Sequence, residues 1–277
     1  SAATRDLFLD ENGDYDRKKA QFSLLSAGVP GSVAGFHHAL TKYGTLSWQD
    51  VLEPAIRLAE EGFVIPHDLA NTLASKRYRE RLSSNPAAAK VFFKEDKGLY
   101  SAGEILVQKD LASTLRELSK NGPDAFYTGK IAQLIVEEME RNGGLITLED
   151  LKNYNVAERQ PLVGSYKGYE IVSMPPSSSG GTHLIQMLNM LEEFPIKEMG
   201  FGSADTIHIL AEVMKRAYAD RSKYLGDSDF YKVPSSLTSK KYAISLNKDI
   251  SLDKVTPSED VSPGDPYPYE SPDTTHF

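Results

Sequence analysis

Pro161-Leu-Val-Gly-Ser-Tyr-Lys-Gly-Tyr-Glu-Ile-Val-Ser173 runs directly into Met174-Pro-Pro-Ser-Ser-Ser-Gly-Gly-Thr-His183. β-Branched and aromatic residues flank Lys167-Gly168, which predicts a β-hairpin with its turn at that pair. Gly180-Gly181 then breaks the chain, and a helix is expected from Thr182, carrying Leu184, Ile185, Leu188 and Leu191. Ser177-Ser178-Ser179 lacks a Gly-x-Ser-x-Gly elbow, so it reads as a capped helix start rather than a nucleophile. Further on, the longest helix is expected from about Ser203 to Leu225, with a stripe of Ile207, Leu210, Met214, Ala217 and Tyr218. Upstream the pattern is helical. Ser47 with Asp50 caps a helix through Val51, Ala55, Leu58 and Ala59 that Gly62 ends, with Pro54 in or just after its first turn. Leu111, Leu115 and Leu118 precede Asn121-Gly122; Ile131, Leu134, Ile135 and Met139 precede Gly143-Gly144; Thr147 with Asp150 starts another helix. The expectation is a helix-rich chain with one hairpin.

The chain has 277 residues, 40% hydrophobic and 25% charged, an ordinary globular balance. A net charge of −8 argues against nonspecific binding to nucleic acid or to an anionic membrane. No apolar run approaches the roughly 20 residues that span a bilayer. The absence of cysteine removes disulfides, thiolate metal sites and thiol nucleophiles. Ser1-Ala-Ala-Thr-Arg-Asp6 has no Met and no signal-like apolar region, so the chain is expected to be a piece of a longer gene product. From Thr256 to Asp273 the composition turns to Pro257, Pro263, Pro266, Pro268 and Pro272 among Ser, Asp and Glu. Such a segment forms neither a regular helix nor a good strand and is expected to be an extended, mobile connector.

Residue chemistry alone points to no self-contained active site. The six histidines show no HExxH spacing, and no metal or cofactor is expected. Gly28-Val-Pro-Gly-Ser-Val-Ala-Gly35 lacks the closing Gly-Lys-Ser/Thr of a phosphate loop and reads as tight turns entering a helix. Asp10-Glu-Asn-Gly-Asp14 lacks the closing Glu of a calcium loop and reads as a solvated turn. The adjacent pairs Glu137-Glu138 and Glu192-Glu193 point different ways on a helix and read as solvated faces.

Six phrases occur in order: Thr4-Arg-Asp-Leu-Phe-Leu-Asp10, Ala27-Gly-Val-Pro-Gly-Ser-Val-Ala-Gly-Phe36, Asn142-Gly-Gly-Leu-Ile-Thr-Leu-Glu-Asp-Leu151, Ser173 to His183 as quoted above, Ala217-Tyr-Ala-Asp-Arg-Ser222 and Thr274-Thr-His-Phe277. Together they resemble bacterial γ-glutamyltransferases (γ-glutamyltranspeptidases) over essentially the whole chain. One departure is Ser177, where the family writes a proline or serine. The resemblance implies an α+β N-terminal-nucleophile (Ntn) fold, the four-layer αββα sandwich, with this segment mostly helical plus the hairpin. It implies a precursor that cleaves itself at Asp273–Thr274, with three parts: a helix-rich large-subunit segment at 1–255, a flexible Pro-rich segment at 256–273 and the start of the small subunit at 274–277. It implies glutathione and related γ-glutamyl donors, water or amino acid or peptide acceptors, the small subunit as partner, and a periplasmic or secreted location. The family's carboxylate-gripping arginine and oxyanion-hole glycines belong to segments flanking this chain, so the 277 residues alone are expected to be inactive.

The implied catalytic residue is Thr274. A threonine hydroxyl needs a base, and a freed α-amine of ordinary pKa about 7.7–8.0 supplies one where an amide nitrogen does not. Relatives with the same mechanism include cephalosporin acylases and poly-γ-glutamate depolymerases or transferases, and these remain alternatives. A noncatalytic helical scaffold that has lost processing is the alternative of another class.

Overall fold

A computed structural model of the chain describes residues 2–96 and 98–270. Two compact units divide at Ala157/Glu158, a boundary inside the single 1–255 segment expected from sequence.

The first unit is helical. Ser47 caps the helix Trp48–Glu61 through a hydrogen bond from the Asp50 amide, and Gly62 leaves it with φ of 88°. Pro54 is the seventh residue of this helix rather than a first-turn residue, so it removes one main-chain bond from the ladder. Helix Lys109–Asn121 packs alongside, and the Trp48 indole donates to the Leu118 carbonyl at 2.8 Å. A short antiparallel ladder pairs Phe63 with Leu106 and Val64 with Ile105. Helix Lys130–Asn142 ends at Gly143 in the left-handed conformation, where the Gly143 and Gly144 amides reach back to the Met139 carbonyl. Thr147 and Asp150 form a reciprocal capping box at the start of Leu148–Lys152. Tyr127, Ala132, Ile146 and Leu151 make a core cluster. The Gly28–Gly35 stretch closes over it: Tyr127 donates its hydroxyl to the Pro30 carbonyl at 2.7 Å and accepts from the Ala34 amide. At Gly31, the N-cap of helix Ser32–Tyr43, a β-carbon would collide with the Tyr154 hydroxyl. Gly31 thus serves close backbone approach, whereas a β-carbon at Gly28 or Gly35 would meet nothing within 4 Å.

In the second unit the expected hairpin pairs Leu162–Tyr166 with Tyr169–Ser173, register Leu162 to Ser173 and Tyr166 to Tyr169. Lys167 (φ 47°) and Gly168 (φ 87°) make the two-residue turn whose twist suits a hairpin. Helix Ser179–Leu191 starts three residues earlier than expected, because Ser178 caps it by accepting from the Gly180 amide. Gly181 sits against the Met174 carbonyl, leaving no room for a β-carbon. Glu192, expected on a solvated face, instead accepts the Lys167 amide at 2.6 Å and pairs with Lys240, tying the hairpin turn to the helix end. Helix Ala204–Tyr224, capped by Ser203, packs against Ser179–Leu191, which also contacts Lys240–Asn247.

The buried face of Ala204–Tyr224 differs from the expected stripe. Of that stripe Ala217 is fully buried, but Ile207, Leu210, Met214 and Tyr218 are exposed; the covered face carries Ile209 and Val213, which pack with Met190, Leu191 and Ala243. Both faces carry apolar residues at helical spacing. Apolar spacing does not distinguish them, and the face with Glu212, Arg216 and Asp220 is the one that is covered. The described residues contain these two two-stranded sheets within a helical chain, an α+β class.

Candidate functional site

The predicted bond, Asp273–Thr274, lies outside the described residues. What the structure places is the chain leading to it and the buried side chains that hold that chain. Glu212, Arg216 and Asp220 recur every four residues along helix Ala204–Tyr224 and so share one face. All three are buried, and each meets backbone of the segment 249–264.

Asp220 is a hub. One oxygen accepts from Gln186 Nε2 at 2.6 Å and the Tyr242 hydroxyl at 2.7 Å; the other accepts the Gly264 amide at 2.8 Å. The Gly264 carbonyl in turn accepts the Tyr224 hydroxyl at 2.6 Å. A β-carbon at Gly264 would strike the Tyr242 hydroxyl and Leu246, so this close approach requires glycine. Burial, then the hydrogen bond to Asp220, pushes the Tyr242 hydroxyl well above the ordinary phenol range, keeping it a donor.

Glu212 does the same one turn pair earlier. It accepts from Lys215, from Arg216 at 2.7 Å and from the Thr256 amide at 2.9 Å. Burial pushes its carboxyl up, but the bonds from Lys215, Arg216 and Thr256 outweigh this and leave it at about 2. Lys215 also donates to the Thr256 carbonyl, and Arg216 to the Asp249 carbonyl at 3.0 Å. Downstream, Ser236 Oγ donates to the Pro266 carbonyl at 2.8 Å and the Ser236 amide donates to Glu270 at 2.7 Å. Burial raises the Glu270 carboxyl, and the Ser236 and Ser235 bonds more than compensate, so it ends below the usual range.

Residues 256–270 are therefore tied down, where composition suggested a mobile connector. Prolines cannot join a ladder, but the Thr256 and Gly264 amides find buried carboxylates, the Gly264 and Pro266 carbonyls find hydroxyls, and Asp260, Val261, Tyr269 and Glu270 donate within tight turns. Between this strap and the helices lies a cavity of about 500 Å³, lined by Arg216, Asp249, Thr256, Asp260 and Tyr269 among others.

The other sequence candidates do not converge on it. His183 is buried, its Nδ1 set against the Ser179 carbonyl; burial, opposed by that bond, holds its pKa down. His208 bonds the Ser251 carbonyl, and His37 meets Trp48 edge-on. Among the described residues no three His, Asp or Glu side chains group to hold a metal ion, and no helix is long and apolar enough to cross a membrane. Sequence reasoning quoted Asp220 within Ala217–Ser222 without giving it a role, and passed over Glu212 and Glu270. The available signal was carboxylates eight residues apart on a face shared with Ile209, Val213 and Ala217.

The family model described as gamma-glutamyltranspeptidase matches residues 1–277. This chain belongs to the gamma-glutamyltranspeptidase family. Among curated relatives, a protein of Escherichia coli strain K12 named "Glutathione hydrolase proenzyme" is 50% identical over 99% of this chain and 47% of its own length. A Pseudomonas protein (strain SE83) named "Acylase ACY 1 proenzyme" is 42% identical over 96% of this chain and 47% of its own. The chain thus spans about half the length of the curated relatives it matches. The crystal structure of Helicobacter pylori gamma-glutamyltranspeptidase superimposes with a TM-score of 0.91 at 48% identity, covering 95% of this chain and 75% of that one. The α+β fold of this family member is therefore that of the gamma-glutamyltranspeptidases. In it, the buried carboxylates of helix Ala204–Tyr224 hold Thr256 and Gly264 in the Pro-rich segment upstream of the predicted cleavage bond.

Proposed function

We propose that residues 1–273 supply the large-subunit segment of an enzyme that transfers and hydrolyses γ-glutamyl groups, and that Thr274 is its nucleophile. The observation carrying this reading is the match of the whole chain to the family, with half of its residues identical to a glutathione hydrolase proenzyme. Activation is one bond break. Thr274 Oγ adds to the Asp273 carbonyl carbon, the carbon–nitrogen bond breaks, and the departing nitrogen takes the proton the hydroxyl gave up. Water then splits the resulting ester, leaving the Asp273 α-carboxylate and a free Thr274 hydroxyl beside a free α-amine.

That amine is the base the hydroxyl lacked. On a γ-glutamyl donor such as glutathione, Thr274 Oγ attacks the γ-carbonyl while the amine accepts its proton, directly or through water, and passes it to the leaving amine. The glutamyl ester is then taken by water, or by an amino acid or peptide acceptor, in ping-pong order. The division into 1–255, a Pro-rich approach at 256–273 and the small-subunit start at 274–277 belongs to this reading. So do the small subunit as partner, the Ntn αββα sandwich completed by flanking segments, and a periplasmic or secreted location.

Intact mass of the full-length product tests the first step: the wild type splits between Asp273 and Thr274, and Thr274→Ala stays whole and inactive. A wild type that never splits refutes the reading. The 277-residue chain alone turns over no γ-glutamyl-p-nitroanilide. The 42% identity to an acylase proenzyme favours one second reading, amide cleavage on another acyl substrate, for which a glutaryl-cephalosporin is the probe. Side-by-side turnover of glutathione and glutaryl-cephalosporin by the full-length protein separates the two.

A further inference from the structure

We propose that Tyr269 and Glu270 clamp the chain entering the Asp273–Thr274 bond and so act as positioning residues for autocleavage. The proposal rests on the reading above and adds the parts that set where the bond is presented.

The clamp has a rigid floor. Ser235–Thr238 is a tight helical turn in which Ser236 and Leu237 are buried. The Ser236 amide donates to the Glu270 carboxylate at 2.7 Å, and Ser235 Oγ lies 3.3 Å from both of its oxygens. Beside it the Tyr269 ring lies 5.6 Å from that of buried Tyr242, itself fixed by Asp220. The acid and the ring hold consecutive residues on separate partners, Ser235–Ser236 and Tyr242, so the chain is tied at two adjacent points.

Chain length makes this clamp matter. Asp273 is three residues past Glu270, a reach of at most about 11 Å. With the clamp released, the next tie upstream is Tyr267, whose ring meets that of buried Tyr224 edge-on at 6.0 Å. Asp273 is six residues past it, a reach of about 22 Å. Loop-closure scaling turns that slack into about a threefold loss in the chance of presenting the bond correctly. Lost alignment adds to it, since a misplacement of about 1 Å costs up to about 100-fold. The fold needs the clamp less: Glu270 is only half buried, so its truncation opens a path for water to reach the Ser236 amide at the start of the turn.

The test follows autocleavage of the full-length precursor over time by intact mass, alongside the melting temperature of the uncut protein on a Thr274→Ala background. Tyr269→Ala/Glu270→Ala is expected to slow cleavage threefold or more while melting within a few degrees of its parent. Glu270→Gln, which keeps shape and one acceptor oxygen, is expected to recover most of the rate when Tyr269 is left in place. Slowing of less than threefold in the double variant overturns the proposal. So does a large melting shift with an unchanged cleavage rate in the folded fraction, the signature of a structural role alone. A wild type that never splits overturns the proposed function itself; a wild type and double variant that split at equal speed overturn only the clamp.

Discussion

Asp220→Asn is the most searching perturbation of the buried hub, because it changes one atom and leaves the volume alone. Asp220 is fully buried and accepts three hydrogen bonds, two on one oxygen from Gln186 and Tyr242 and one on the other from the Gly264 amide. Asparagine has one oxygen left. Turned toward Gln186 and Tyr242 it keeps both bonds, and its amide group then faces the Gly264 N–H, donor against donor. One bond is lost and a buried donor is stranded, a cost of about 1–3 kcal/mol. Asp220→Ala strands all three donors and costs more, about 3–9 kcal/mol on the same reasoning. Tyr224 still holds the Gly264 carbonyl in either variant, so the strap loosens rather than leaves. The assay is urea unfolding of the full-length protein on an uncleavable Thr274→Ala background, with limited proteolysis and end-sequencing to locate new cuts within 256–270. The expected order of stability is wild type, then Asn, then Ala, with faster strap cleavage in both variants. Equal stability of all three within about 0.5 kcal/mol, or no change in strap cleavage, would refute the idea that Asp220 holds the segment.

Glu212 makes stability pH-dependent at low pH. Its folded value of about 2 lies below the ordinary 4.5, so its contribution is complete above about 4.5 and is lost as pH falls toward 2. The urea midpoint of the wild type should drop across that window more steeply than that of Glu212→Gln; parallel curves would count against it. The two faces of helix Ala204–Tyr224 are separable by truncation. Ile209→Ala should cost about 2–5 kcal/mol, and Ile207→Ala in the 277-residue chain less than about 1 kcal/mol, both read by urea unfolding; the reverse order would mean that the helix is turned the other way.

Local signals were legible wherever the physics is local. Ser47, the Thr147–Asp150 box, Gly143 and the Lys167-Gly168 turn each act on neighbours within four residues, and the structure places each in the role its spacing predicts. Where two local readings compete, the sequence offers no referee. Helix Ala204–Tyr224 carries an apolar stripe on both sides, and the one read from apolar spacing lies exposed in this chain, Ala217 apart.

By itself the sequence determined the helix-rich class, the hairpin and its turn, the helix ends set by Ser47, Gly62, Gly143, Thr147 and Ser203 and, through six phrases in order, the family. Tertiary structure decided which face of the longest helix is covered, and that Glu212, Asp220 and Glu270 fasten the Pro-rich approach. Those bonds join residues 34 to 44 positions apart. A carboxylate's worth as an acceptor depends on which distant amide the fold brings to it, and neither composition nor spacing encodes that pairing.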